Sequence, residues 1–208
     1  TVDRRRRGVG AVNLQRALKV EDPADFDSMI DGQVADLTPR STDGMANLTI
    51  YCDQVASTVG RTCVRIWGAS SPEALEMASQ RGIAFQITNI LRDIREDHDR
   101  GRVYLPTALL VEHGVDVEMV LNWTEPQRCA RLVHALTDIA RDGYRRSRDL
   151  ESLLLPDCRP TSWVMTTIYR SLLEKIAHHD DASPHQQKTT ILFTYIIFYI
   201  INNMHIFF

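Results

Sequence analysis

Apolar residues recur every three to four positions along most of this chain, and no useful stretch alternates with a period of two. Val9, Val12, Leu14, Leu18 and Val20 give a loosely helical pattern over residues 4–20, ended by Asp22-Pro23. Ser28 to Leu37 reads as a short helix before the Thr38-Pro39 break. Ser41-Thr42-Asp43-Gly44 then offers a capping signal for a long helix to about Trp67. Its apolar and small positions are Leu48, Tyr51, Val55, Val59, Cys63 and Ile66, and Gly68 ends it.

Ser71-Pro72-Glu73 opens a further helix, with proline at its first helical position, that runs to about His98 and stops at Gly101. Arg102 to Pro106 is an extended link. A short helix from Thr107 to His113 ends at Gly114, and another begins near Val117. Thr124-Glu125-Pro126 opens a long helix to about Leu154, whose apolar face is Leu132, Ala135, Leu136, Ile139 and Ala140. The last helix spans Thr161 to about His178, with Val164, Ile168, Leu172 and Ile176 on one side. Hairpin dipeptides and internal repeats are missing, so the expected class is all-α.

One helix carries a polar stripe. At about 100° per residue, Gln86, Asn89, Asp93 and Asp97 stack one turn above the next, flanked by Phe85, Ile87, Ile90, Leu91 and Ile94. Such a stripe either faces water or lines a cavity, and the apolar flanks favour the cavity. The acids crowd toward the helix C-terminus, where the macrodipole disfavours negative charge. A positive partner is therefore expected: Arg92, Arg95, Arg100 or Arg102, or a hard divalent cation that takes oxygen ligands. An amphipathic helix with a solvated charged end is the plain alternative.

Composition changes little in that picture. The 208 residues are 44% apolar and 25% charged with a net charge of −3, ordinary for a globular domain and without the basic surface that nucleic acid requires. Arg4-Arg5-Arg6-Arg7 is a short terminal exception that reads as a solvated end. Cys52, Cys63, Cys129 and Cys158 lack metal-type spacing, and Cys52 and Cys63 read as small buried hydrophobes in a reducing compartment. The chain opens on Thr1 without a leader-like segment, so a cytoplasmic piece of a longer protein is expected.

Residues 183–208 differ in character from residues 1–182. The run Ile191 to Ile201 is 11 residues long, and the sequence then closes with Asn202-Asn203-Met204-His205-Ile206-Phe207-Phe208. That run is shorter than the roughly 20 residues that span a bilayer. It reads either as an apolar tail in peripheral contact with a membrane or as a segment foreign to the fold.

The run Asn89-x-x-Arg92-Asp93-x-x-Glu96-Asp97, followed by Gly101-Arg102-Val103-Tyr104-Leu105-Pro106, resembles the second aspartate-rich motif of the squalene/phytoene synthase family. Tyr51-Cys52-x-x-Val55-Ala56-x-Thr58-Val59-Gly60 resembles that family's helix of tyrosine plus small residues. Phe26-x-x-Met29-Ile30-Asp31-Gly32, with Asp36-Leu37 after it, is a third and weaker match. The resemblance covers roughly residues 12–178. It implies part of an isoprenoid-synthase-type helical bundle around a central cavity, whose members join two prenyl diphosphates head to head.

The resemblance further implies magnesium, with manganese as a substitute, and NADPH only for a squalene-type product. Asn89, Asp93 and Asp97 are the implied metal ligands, with Glu96 behind them. Gln86 would face the reacting carbons, and Arg92 and Arg102 would contact diphosphate. Tyr51 and Tyr169 are implied catalytic residues, Tyr51 facing the cavity, while Val55, Ala56, Val59 and Gly60 leave room for the prenyl chain. Asp31 approaches the metals by resemblance, and alone reads as a turn residue before Gly32.

The family's first aspartate motif belongs upstream of the Ile30-Asp31-Gly32 match and is not in this sequence. Weak metal binding by this piece is therefore expected. Two other readings stand beside the enzyme: a helical relative that binds or assembles without catalysis, and a class I terpene cyclase. The Gly101–Pro106 run and the Tyr51 helix fit the cyclase poorly.

Overall fold

The computed structural model describes residues 23–37 and 40–178. The expected helix over residues 4–20, the Arg4–Arg7 cluster and the apolar tail lie outside the described residues. The order is α1 (Pro23–Ala35), β1 (Arg40–Thr42), α2 (Met45–Cys52), a π-helical turn (Asp53–Ser57), α3 (Thr58–Ile66), α4 (Pro72–Asp99) and β2 (Arg102–Pro106), then α5 (Thr107–His113), α6 (Val117–Asn122), α7 (Pro126–Arg146), α8 (Leu150–Leu153), a 3₁₀ turn (Pro156–Cys158) and α9 (Arg159–Ala177).

Helix α4 is the strut of the fold. Its 28 residues extend ~42 Å at 1.5 Å per residue. Ser71 caps it, its hydroxyl accepting the Ala74 N–H at 3.2 Å, and Pro72 stands in the first turn, as the sequence predicts. Ala84, Ile87, Ile90, Leu91 and Ile94 are buried in the main core, together with Leu132, Val133, Leu136 and Ala140 of α7. The other side of α4 meets the α2–π–α3 run, which folds back antiparallel to it. A smaller core of Val64, Trp67, Ala69, Ala74, Ala78, Leu150 and Leu154 closes the end where α3 turns into α4.

Two helix pairs approach so closely that only glycine fits. A Cβ on Gly82 would lie 2.7 Å from the Ser57 Cα, and one on Gly143 would lie 2.7 Å from the Gln80 carbonyl oxygen. These contacts press the π turn and α7 against α4.

Four details correct the sequence reading. Ser41 and Thr42 belong to β1 instead of forming a cap. β1 pairs in parallel with β2 (Arg40 opposite Arg102, Ser41 opposite Val103), and Gly44 at the start of α2 makes no side-chain cap. This small sheet is stabilised by distant chain, which periodicity cannot report. The long helix expected from Pro126 to Leu154 ends at Arg146, and α8 begins at Leu150. Ser147 ends it: the Ser147 hydroxyl donates back to the Gly143 carbonyl at 2.8 Å, and Arg81 takes its backbone carbonyl. Ile139 is exposed, and the buried face of α7 passes through Cys129 and Val133 instead. Asp31 is exposed within α1 and is no turn residue.

Candidate active site

A hollow of about 230 Å³ runs beside α4. Val55, Ala56, Val59, Gly60, Gln86, Asn89 and Tyr169 all line it, seven of the residues singled out from sequence. The π turn contributes Val55 and Ala56. Its wider winding sets them off the register of a continuous α-helix, and such turns recur at functional sites. Phe85, from α4, stacks on Tyr169 of α9 with ring centroids 4.3 Å apart, giving the hollow an aromatic wall. Phe85 also meets Tyr144 at 6.0 Å. Val59 stands 44% exposed, so the hollow is open on that side.

The polar stripe climbs out of this hollow. The Asn89 amide donates to Gln86 Oε1 at 3.4 Å, while its own Oδ1 is buried without a hydrogen-bond partner. One turn on, Asp93 is held by its neighbour: Arg92 Nε donates to Oδ1 at 2.7 Å and Nη2 to Oδ2 at 2.5 Å. Burial opposes the Arg92 charge, but Asp93 and the nearby Tyr169 outweigh it and hold the guanidinium above its usual range. Asp97 is pushed up to about 6, first by burial and then by the negative charge of Asp93, with Arg102 pulling the other way. Two carboxylates one turn apart on α4, one and two turns beyond Asn89, thus repel each other. A cation would relieve that repulsion.

The remaining sequence-predicted residues lie apart from the hollow. Tyr51, which the resemblance sets facing the cavity, is not among the lining residues. It is buried, stacked on Tyr104 with centroids 4.7 Å apart, and its hydroxyl donates to Asp36 Oδ2 at 2.9 Å. Tyr104 donates to the other oxygen of the same carboxylate at 2.7 Å. Burial, then the Tyr104 hydroxyl and that carboxylate, push the Tyr51 phenol far up, and burial lifts Tyr104 to about 12, so both stay protonated. Arg102 and Asp97 share a small cleft with Tyr104 between α4 and β2. Glu96 is exposed and paired with Arg100 at 2.7 Å.

Sequence reasoning missed Arg81, Trp67, Phe85 and the role of Asp36. Arg81 is 5% exposed and lines the hollow. It donates to Glu151, to Ser162 Oγ at 3.1 Å and to Ser147 Oγ at 3.2 Å, tying α4 to α8 and α9. An arginine on an otherwise apolar helix face, five residues before Gln86 opens the polar stripe, carries no local signal. Its partners lie 66 to 81 positions away.

Among the described residues, no three His, Cys, Asp or Glu side chains come together as a cage. Magnesium does not need one, since it is commonly held by one or two carboxylates plus substrate phosphates. The Asp93 and Asp97 carboxylates and the orphaned Asn89 Oδ1 are oxygen donors of that kind.

The squalene/phytoene synthase family model matches residues 8–192. The chain belongs to the squalene/phytoene synthase family. Among relatives in this family, a presqualene diphosphate synthase of Sinorhizobium fredii is 32% identical over 191 residues, covering 83% of this chain and 65% of that protein. One from Rhodopseudomonas palustris is 35% identical, covering 77% and 58%. A phytoene synthase of Thermus thermophilus is 50% identical over 93 residues, 45% of this chain and 32% of its own. The chain therefore spans less than two thirds of the length of these family members. Among solved structures, the squalene synthase HpnC from Alicyclobacillus acidocaldarius shares the family fold with a TM-score of 0.71 at 24% identity, over 77% of this chain and 61% of that one. A dehydrosqualene synthase in complex with ligand gives 0.67 at 26%, over 86% and 65%. Among the described residues, no helix is long and apolar enough to cross a membrane.

Proposed function

We propose that this chain carries the diphosphate-gripping wall and one prenyl pocket of an enzyme that condenses two prenyl diphosphates head to head. The observation that carries the reading is the ladder itself: an unpartnered amide oxygen and two mutually repelling carboxylates, rising out of a hollow with an aromatic wall. Asn89, Asp93 and Asp97 would hold magnesium. Magnesium, when bound, neutralises the charge that grows on the diphosphate as the allylic C–O bond breaks.

The chain's own residues do the rest. Arg92, held on Asp93, and Arg102, in the cleft beside Asp97, offer guanidinium groups that pair bidentately with phosphate oxygens. The faces of Phe85 and Tyr169 stabilise positive charge on the allylic carbons. Val55, Ala56, Val59 and Gly60 give the prenyl tail an apolar surface to lie against. The Tyr51–Asp36–Tyr104 cluster pins α1, α2 and β2 together at the Asp97 end, a positioning role.

Turnover of farnesyl diphosphate with magnesium by the full-length protein tests this. Asp93→Asn and Asp97→Asn are each expected to lower turnover roughly a hundredfold or more. Unchanged turnover in either variant overturns the mechanism. A second reading, a helical binding protein without catalysis, draws on the Arg92–Asp93 clamp, which already satisfies one of the acids. It predicts prenyl diphosphate binding with no product.

A further inference from the structure

Asn89 and Trp67 stand at opposite ends of the hollow, and α4 measures the distance between them. The α4 residues along it run from Asn89 back to Ala78, beside Trp67. Eleven residues at 1.5 Å each make ~16 Å. An isoprene unit, four chain bonds long, extends ~5 Å. Three units fill that length.

The far end is closed. Trp67 is 8% exposed, and its ring sits in the smaller core with Val64, Ala78, Leu150 and Leu154. Its backbone is held on both sides: the N–H donates to the Cys63 carbonyl at 2.9 Å, and its carbonyl accepts the Leu155 N–H at 3.0 Å. The adjoining wall is also fixed, because Arg81 ties α4 to Glu151 and Ser162 from a buried position. A fourth isoprene unit would have to enter a packed core, and overpacking of that kind is costly.

We propose that Trp67 is the stop that limits this hollow to a three-isoprene tail, so that the site takes farnesyl in preference to geranylgeranyl diphosphate. This rests on the reading of the hollow as a prenyl pocket. Trp67 acts by shape alone: it touches the tail's end and takes no part in ionisation.

The test measures binding of the non-ionising C15 and C20 S-thiolodiphosphates to the full-length protein with magnesium present, by calorimetry. The C15 compound is expected to bind roughly tenfold tighter or more. Trp67→Leu, and independently Leu150→Ala at the same floor, are each expected to shrink that ratio to about threefold or less by improving C20 binding. Equal affinity in the unaltered protein, or a ratio unmoved in whichever variants fold, overturns the assignment while leaving the prenyl pocket intact. Binding of neither compound overturns the pocket reading and this inference with it.

Discussion

Asn89 donates to Gln86 one turn back along α4 and keeps a carbonyl oxygen that is buried at the hollow and bonded to nothing. A buried acceptor without a donor costs about 1–3 kcal/mol. The fold carries that cost at the position where the ladder of oxygen-bearing side chains begins.

Asn89→Leu should therefore separate stability from function. Unfolding free energy is expected to stay level or rise by about 1 kcal/mol, since an unsatisfied polar atom is removed. Magnesium-dependent diphosphate affinity is expected to fall at least ~10-fold. Denaturant melts and calorimetry on the same samples read both quantities.

Gly82→Ala tests the close approach of the π turn. The new methyl would press on the Ser57 backbone at 2.7 and 2.8 Å, where nothing flexible can yield. A loss of about 2–3 kcal/mol in urea unfolding is expected. Because the displaced segment carries Val55 and Ala56, prenyl binding should weaken in the protein that still folds.

Asp36→Ala removes the carboxylate that two buried phenols share and is expected to cost about 2–3 kcal/mol. Tyr51→Phe removes one donor and keeps the stacked ring, so about 1 kcal/mol is expected. A double-mutant cycle over Tyr51→Phe and Tyr104→Phe should show coupling, because both hydroxyls share one carboxylate.

Acid should loosen the hollow's wall. Burial pulls the Glu151 carboxyl up, but Arg81 and the Ser162 hydroxyl outweigh it and leave it below the usual range. Asp25 behaves alike: burial raises it, and Arg61 and Arg65 bring it down further. A folded-state value below the unfolded one means stabilisation that is complete above the unfolded value of about 4.3 for Glu and lost as pH falls through the folded value. Glu151→Gln is expected to cost about 2 kcal/mol at pH 7, and its deficit against the unaltered protein should close on titration below about pH 4. A constant deficit down to pH 2 would contradict the pairing.

Much of this was legible because it is local. The α4 stripe, the Ser71-Pro72 start and the small residues from Val55 to Gly60 lie within single helices, where spacing alone fixes which side chains share a face. What the sequence concealed depends on distant partners. The pairing of β1 with β2 joins residues about 60 positions apart. Tyr51 left the hollow's lining because Asp36 and Tyr104, from α1's end and β2, capture its hydroxyl and ring. Arg81 and Trp67 gain their places only when α8 and α9 fold against them. The π turn has no sequence signature in Asp53–Ser57.

Asn89, Asp93 and Asp97 would hold the metal that neutralises the substrate's diphosphate. Electron paramagnetic resonance of Mn²⁺ with the full-length protein and farnesyl S-thiolodiphosphate reads that contact directly. The account predicts a bound-manganese signal that requires the diphosphate and is lost in Asp93→Asn and Asp97→Asn. An unchanged bound signal in both variants would contradict it.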